Sequence, residues 1–153
     1  MKSRVTDEML DFAVLTCKKY SQVRTLAEEA ETSWKQNLEM VAASKYPGEK
    51  EMYEQQAEED LARYTAAREW LKLVDGAVGK VRYEKSRLVL KQNCLGGATM
   101  KSVLVDKKTG TYMSRSTATR YKKKGITELA VQLEKVKKPL EEKAEKMSCF
   151  GAE

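Results

Sequence analysis

The sequence predicts an all-α protein with a long antiparallel N-terminal helical hairpin. A C-terminal helix-turn-helix domain follows, with room for a short β-wing. Three observations lead there. Charged residues make up 34% of the chain and hydrophobic residues 41%, a balance suited to helices with long solvated faces rather than a large α/β core. With 8 Gly and 2 Pro in 153 residues, turn signals are too sparse for an all-β fold. Apolar or small residues recur at steps of three and four through two long stretches. The expected organisation is an acidic hairpin over 1–75, a basic DNA-binding domain over 76–138 and a charged tail over 139–153.

The first helix is expected from Asp7 to about Ser44. Thr6 is placed to cap it, and Asp7 and Glu8 suit the positive end of the helix dipole. Its stripe reads Leu10, Val14, Cys17, Ala27, Ala30, Trp34, Leu38 and Val41, interrupted by Ser21 and Arg24. Pro47-Gly48 reads as a turn. A second helix from about Glu49 to Val74 carries Tyr53, Ala57, Leu61, Tyr64, Ala67, Leu71 and Val74. Neither helix buries its stripe alone, so the two pack on each other in coiled-coil fashion or on a second copy. Trp34 and Trp70 fit core or dimer anchors.

Near Gly76 and Gly79 two readings stay open: the second helix continues towards Val81, or a short separate helix covers Leu71–Val81. Arg82–Leu95 reads as a helix ended by Gly96-Gly97. Thr99 is placed to cap a short helix over Met100–Asp106, although Val103-Leu104-Val105 suits a strand equally. Lys107–Gly110 is a turn. A last main helix starts at Ser114, with Ala118, Tyr121 or Lys122, Gly125, Leu129 and Leu133 facing inward. Pro139 ends or kinks it. Leu140–Met147 reads as a final charged helical piece and Ser148–Glu153 as a loose tail.

Histidine is absent, which removes His-based acid–base catalysis, Ser-His and Cys-His triads and imidazole-containing zinc sites. Cys17, Cys94 and Cys149 lie far apart with no C-x-x-C pair, which fits free thiols in a reducing compartment; Cys17 reads as a small hydrophobe. No secretory apolar core opens the chain and no run has the length of a membrane span. The expected location is therefore the cytoplasm. Glu28-Glu29 and Glu58-Glu59-Asp60 read as solvated faces rather than cation sites. Gly96–Ser102 misses the spacing of a phosphate loop. No cofactor and no enzymatic activity are expected.

The net charge of +6 is unevenly spread. Residues 1–75 carry 11 Lys/Arg against 15 Asp/Glu, and residues 76–153 carry 18 against 8. Such asymmetry points to a polyanion partner for the second half. Within that half, Ser114-Arg115-Ser116-Thr117-Ala118-Thr119-Arg120-Tyr121-Lys122-Lys123-Lys124 joins a capping serine to a hydroxyl-rich first turn and a cationic flank. A DNA-reading helix needs these groups in that order. Arg115 and Arg120 have the fork geometry for guanine or phosphate. Ser116 and Thr119 are placed to contact phosphates or bases, and Lys122, Lys123 and Lys124 supply sequence-independent affinity.

At Tyr112–Ala130 the chain resembles the last helix of phage-encoded late transcription regulators of the ArpU/RinA type, whose C-terminal domain is similar to the fourth region of bacterial sigma factors. The Ser-x-Ser-Thr cap, the aromatic and basic residues after it and the Leu129-Ala130 pair carry the likeness, which extends weakly over Leu71–Lys137. The resemblance implies a DNA-binding activator of phage or mobile-element late genes, acting at the nucleoid of a bacterial host cell. It implies Ser114 as cap, Arg115, Ser116, Thr119 and Arg120 facing the groove, and Lys123 and Lys124 on phosphates. Gly125 departs from the pattern, where a small helix former is usual, and so does the long Asp106–Met113 loop. The expected partners are double-stranded DNA, a second copy of the chain and RNA polymerase, with no membrane. The alternative is a protein-interaction module working through the hairpin on a polymerase or host regulator.

Overall fold

The computed structural model describes residues 5–96, 104–106, 111–112 and 114–149. The fold is all-α, with five helices among the described residues: α1 (Asp7–Ala43), α2 (Pro47–Gly79), α3 (Glu84–Val89, continued by a π-helical turn over Leu90–Leu95), α4 (Arg115–Lys135) and α5 (Lys137–Cys149). Two short strands, β1 (Leu104–Asp106) and β2 (Thr111–Tyr112), pair antiparallel with an irregular register between α3 and α4. Among the described residues, no helix is long and apolar enough to cross a membrane. The chain divides into two compact units, Met1–Ser21 with Leu73–Lys137 and Gln22–Lys72 with Lys138–Glu153.

Helix α1 begins as expected. The Met9 amide donates to Thr6 Oγ1 at 3.1 Å, and the Thr6 carbonyl accepts from Leu10. α1 and α2 form the long antiparallel pair. Pro47-Gly48 is not a free turn: Pro47 opens α2, and the Tyr46 carbonyl accepts from Lys50. A first-turn proline has no helical N–H to lose, and its fixed φ suits the helix start.

The seam between these helices is largely alanine. Ala13, Cys17, Val23, Ala27 and Ala30 are buried on α1, and Ala57, Ala66, Ala67, Trp70, Val74, Ala77 and Val78 on α2. Val14 and Leu38, expected on the α1 stripe, are exposed, as is Leu61 on α2. At one position the stripe lies a residue over, with Ala13 buried in place of Val14, while Cys17, Ala27 and Ala30 are buried as expected. Small residues let backbones approach closely, so Val14, Leu38 and Leu61 lie outside the seam, with Trp70 as a large side chain buried in it.

In the unit containing 22–72, polar and aromatic groups tie the pair. The Asp60 carboxylate accepts from Ser33 Oγ at 2.6 Å and Asn37 Nδ2 at 2.8 Å. Trp34 stacks on Tyr64 with centroids 6.5 Å apart, and Trp70 is buried, so both tryptophans anchor packing within the chain. α5 belongs to this unit and buries Leu140 and Met147. Lys143 forms an ion pair with Glu69 of α2. Pro139 lies inside the first turn of α5, where its missing N–H costs no helical bond. It therefore sits within α5, and α4 ends earlier, at Lys135.

The other unit has the larger side chains at its centre. Val74, Val78, Val81, Val89, Leu90, Leu129 and Leu133 are fully buried, each worth about 1.5–3 kcal/mol relative to exposure. α2 runs unbroken through Gly76 to Gly79, so the separate Leu71–Val81 helix is not formed. Arg87 then clamps the bend before α3, donating from Nη1 to the carbonyls of Val81 at 2.6 Å and Arg82 at 3.2 Å.

The helix that starts with α3 ends in a wide turn, its last bond running from the Gly96 amide to the Lys91 carbonyl at 2.8 Å. The helix ends at Gly96 as expected, and Gly96 keeps a right-handed φ of −85°. Glycine is required there by space, because a Cβ would lie 2.9 Å from the carbonyl oxygens of Lys91 and Gln92. The Met100–Asp106 helix is not formed at 104–106, which is the strand β1. Leu104 pairs with Tyr112 and Asp106 with Thr111 instead. The helix packed on α4 is thus α3, with a hairpin in the connection rather than a tight turn. The Thr99 cap and the Lys107–Gly110 turn lie outside the described residues.

Candidate nucleic-acid interface

α4 starts at Ser114, whose backbone is extended (φ −63°, ψ 151°). Its Oγ accepts from the Thr117 amide at 3.3 Å and donates to Thr117 Oγ1 at 2.7 Å, fixing the first turn. The helix then divides by face. Ala118, Gly125, Leu129, Ala130 and Leu133 are buried, and Tyr121 packs on Val89 and Ala118. Gly125 lies over Ser86 and Leu90 of the preceding helix.

With that face buried, the opposite one is exposed. It carries Arg115, Ser116, Thr119, Arg120, Lys123 and Lys124, all expected to face solvent at this position. Thr119 Oγ1 donates to the Arg115 carbonyl at 2.8 Å, which commits its proton and leaves the oxygen as an acceptor. Ser116 has the freer hydroxyl.

Lys122 diverges from the other two lysines. It is half-buried, and its ammonium bears on Cys17 of α1 and Cys94 of the π-helical turn. These two thiols, far apart in sequence, form a hydrogen-bonded pair. The bond and burial push the Cys17 thiol far above the ordinary range. The same bond, helped by Lys122, holds Cys94 below it against the opposing effect of burial. Cys17 lies in the hydrophobic core, as expected of a small hydrophobe, and Cys94 Sγ donates to Asn93 Oδ1 at 3.9 Å. No sequence spacing signals this pair.

The structure adds residues that the sequence reading passed over. Lys85 of α3 places Nζ 5.7 Å from the centroid of the Tyr121 ring, and Arg120 places Cζ 5.6 Å from the same centroid. Lys124 Nζ lies 5.9 Å from the ring of Tyr83, an exposed tyrosine at the start of α3. The alternation Arg82-Tyr83-Glu84-Lys85 was the available signal, but in one sequence it reads as an ordinary helix start. Arg82 is the cation here with an acidic partner, Glu128 at 3.2 Å. Among the described residues, Lys85, Arg115, Arg120, Lys123 and Lys124 make no ion pair.

This is a basic, aromatic-backed surface. It can hold anions through several cations with no internal carboxylate to displace, and Ser116 and Thr119 add polar contacts. Among the described residues, no group of three His, Cys, Asp or Glu side chains could hold a metal ion. No protein-family model matches the chain, and neither a curated protein nor a solved structure does.

Proposed function

We propose that this protein binds duplex DNA through the exposed face of α4 and regulates transcription of phage or mobile-element late genes. The observation that carries the reading is the face itself: Arg115, Arg120, Lys123 and Lys124 stand exposed and without ion pairs among the described residues, on a helix capped by Ser114. Holding four cations so close together is unfavourable without an anionic partner, and a phosphate backbone is such a partner. Arg115, Ser116 and Thr119, in the first two turns, reach furthest towards base edges, and the lysines lie along the backbone. β1 and β2 take the position of a wing before the helix. RNA polymerase is the partner that the resemblance to sigma-type domains brings.

Binding should fall steeply with salt, with a log–log slope of roughly −4 to −5 for four to six phosphate contacts. The test is a gel-shift series on duplex DNA with wild type and the Arg115→Ala/Arg120→Ala double variant. A double variant that binds as well as wild type sinks the assignment. Selection from random duplexes would return the site, and a palindromic consensus would support a homodimer.

A second reading has its own support. Leu38, Met40, Tyr46 and Met52 are each exposed in the stretch of chain around the α1–α2 turn, and exposed large apolar side chains suit a protein partner. On this reading the protein is an interaction module. A complex that survives nuclease, together with no DNA shift at low salt, would favour it.

A further inference from the structure

We propose that Lys85 and Arg120, set about Tyr121, form a seat for one backbone phosphate, and that Lys124 beside Tyr83 holds a neighbouring one. The seat rests on the DNA-binding reading above and deepens it. It brings α3 into the interface and assigns Arg120 to the backbone rather than to a base.

The geometry carries it. Two cations from different helices converge on one aromatic ring, at 5.7 and 5.6 Å from its centroid. Each cation lies within 6 Å of the centroid, so the two are at most about 11 Å apart, a separation comparable with the Debye length of about 8 Å at physiological ionic strength, and they repel. A cation over an aromatic face is attracted by the ring quadrupole, which holds each side chain in place without neutralising it. An anion shared by both cations relieves the repulsion that remains.

No protein group does so: among the described residues neither cation has a carboxylate partner, and the nearby Glu128 is bonded to Arg82. The ring itself is fixed, because Tyr121 is half-buried and packed on Val89 and Ala118. Lys124 lies one helical turn beyond Arg120 and repeats the arrangement with Tyr83 at 5.9 Å. Successive phosphates of one strand rise by roughly 3.4 Å along the duplex axis. One turn of α4 rises about 5.4 Å, so the second cation–aromatic pair lies within a few ångströms of that spacing and is close enough to meet a further phosphate of the same strand.

The seat makes a claim that a base-reading Arg120 does not. A phosphate contact needs charge and reach; a bidentate base contact needs the guanidinium fork. The experiment measures duplex binding across a salt series for wild type, Lys85→Gln, Lys85→Arg and Arg120→Lys, with a thermal melt of each to establish folding. Lys85→Gln should lower the magnitude of the log–log salt slope by about 0.9, the loss of one phosphate contact. Lys85→Arg should keep the wild-type slope. Arg120→Lys should keep both slope and sequence preference.

If wild type binds and Lys85→Gln leaves the slope unchanged, the seat is wrong while the DNA-binding reading stands. If Arg120→Lys keeps the slope but relaxes the sequence preference, Arg120 reads a base and the seat is likewise overturned. If wild type shifts no duplex even at low salt, the reading of function fails and takes the seat with it.

Discussion

Gly125 of α4 meets Leu90 so closely that an added Cβ would stand 3.0 Å from Leu90 Cδ1 and 3.1 Å from Cγ. Ser86 closes the other side at 3.3 Å. The helix gives up propensity here to let α3 approach, and so orients the cationic face.

Gly125→Ala should therefore destabilise the protein. Overpacking costs about 1–3 kcal/mol, and the gain in helix propensity returns at most about 1 kcal/mol, for a net loss on the order of 1 kcal/mol. Gly76 is the internal control. It lies within α2 with nothing within 4 Å of an added Cβ, so Gly76→Ala should stabilise by roughly 0.5–1 kcal/mol. Urea titration of the two variants tests the pair. Shifts of the same sign would contradict the packing described.

Asp60 joins Ser33 and Asn37 across the hairpin. Asp60→Ala leaves a hydroxyl and an amide without their acceptor, at a cost of about 1–3 kcal/mol. Asp60→Asn keeps the shape and one acceptor oxygen and should cost less. Chemical denaturation should rank wild type, then Asn, then Ala. An Ala variant as stable as wild type would remove this network from the account of the hairpin.

The two thiols near α4 should differ in reactivity. Cys94 is held below the ordinary thiol range by the hydrogen bond from Cys17 and by Lys122, and is half-buried; Cys17 is raised and buried. The thiolate is the reactive form. In a Cys149→Ser background near pH 7, iodoacetamide should label Cys94 well before Cys17, with peptide mass mapping as the readout. Lys122→Met should slow the labelling of Cys94. Equal rates at the two sites would contradict the hydrogen-bonded pair.

Lys143 of α5 bonds Glu69 of α2 and holds that carboxyl below its ordinary range, with Lys146 and Lys72 adding smaller effects. A depressed carboxyl stabilises the fold above its unfolded pKa, about 4.3. The contribution fades as pH falls through the lower folded value. Because both groups are partly exposed, the effect is small and weakens with salt. The difference in melting temperature between wild type and Glu69→Gln should be constant above about pH 5 and shrink towards zero below pH 4. A difference that grows on acidification would reverse the sign.

Most elements were legible because their signals are local. Thr6 and Ser114 cap where they were expected, since capping needs only a side-chain oxygen within three residues of an amide. The exposed face of Arg115, Ser116, Thr119, Arg120, Lys123 and Lys124 follows from helical period alone, once Ala118 and Gly125 define the inner side. The role of Pro47 was misread because the same residue suits a turn and a helix start. Val14 and Leu38 were placed in the seam on hydrophobicity, whereas the packing buried the smaller Ala13 and left both exposed.

The sequence by itself determined the two long helices of the hairpin, the helix after Arg82, the helix from Ser114 and the charged last helix, together with the acidic and basic halves and the cationic face, because each depends on neighbours three or four residues apart; the helix it placed over Met100–Asp106 is a strand at 104–106. Only the tertiary structure decided which groups meet across helices. It set Lys85 and Arg120 about Tyr121, paired Cys17 with Cys94, made Gly125 a point of close approach and placed Asp60 between Ser33 and Asn37. Those contacts depend on how close two backbones come and at what rotation. That is a property of the packed pair, which no single helix encodes.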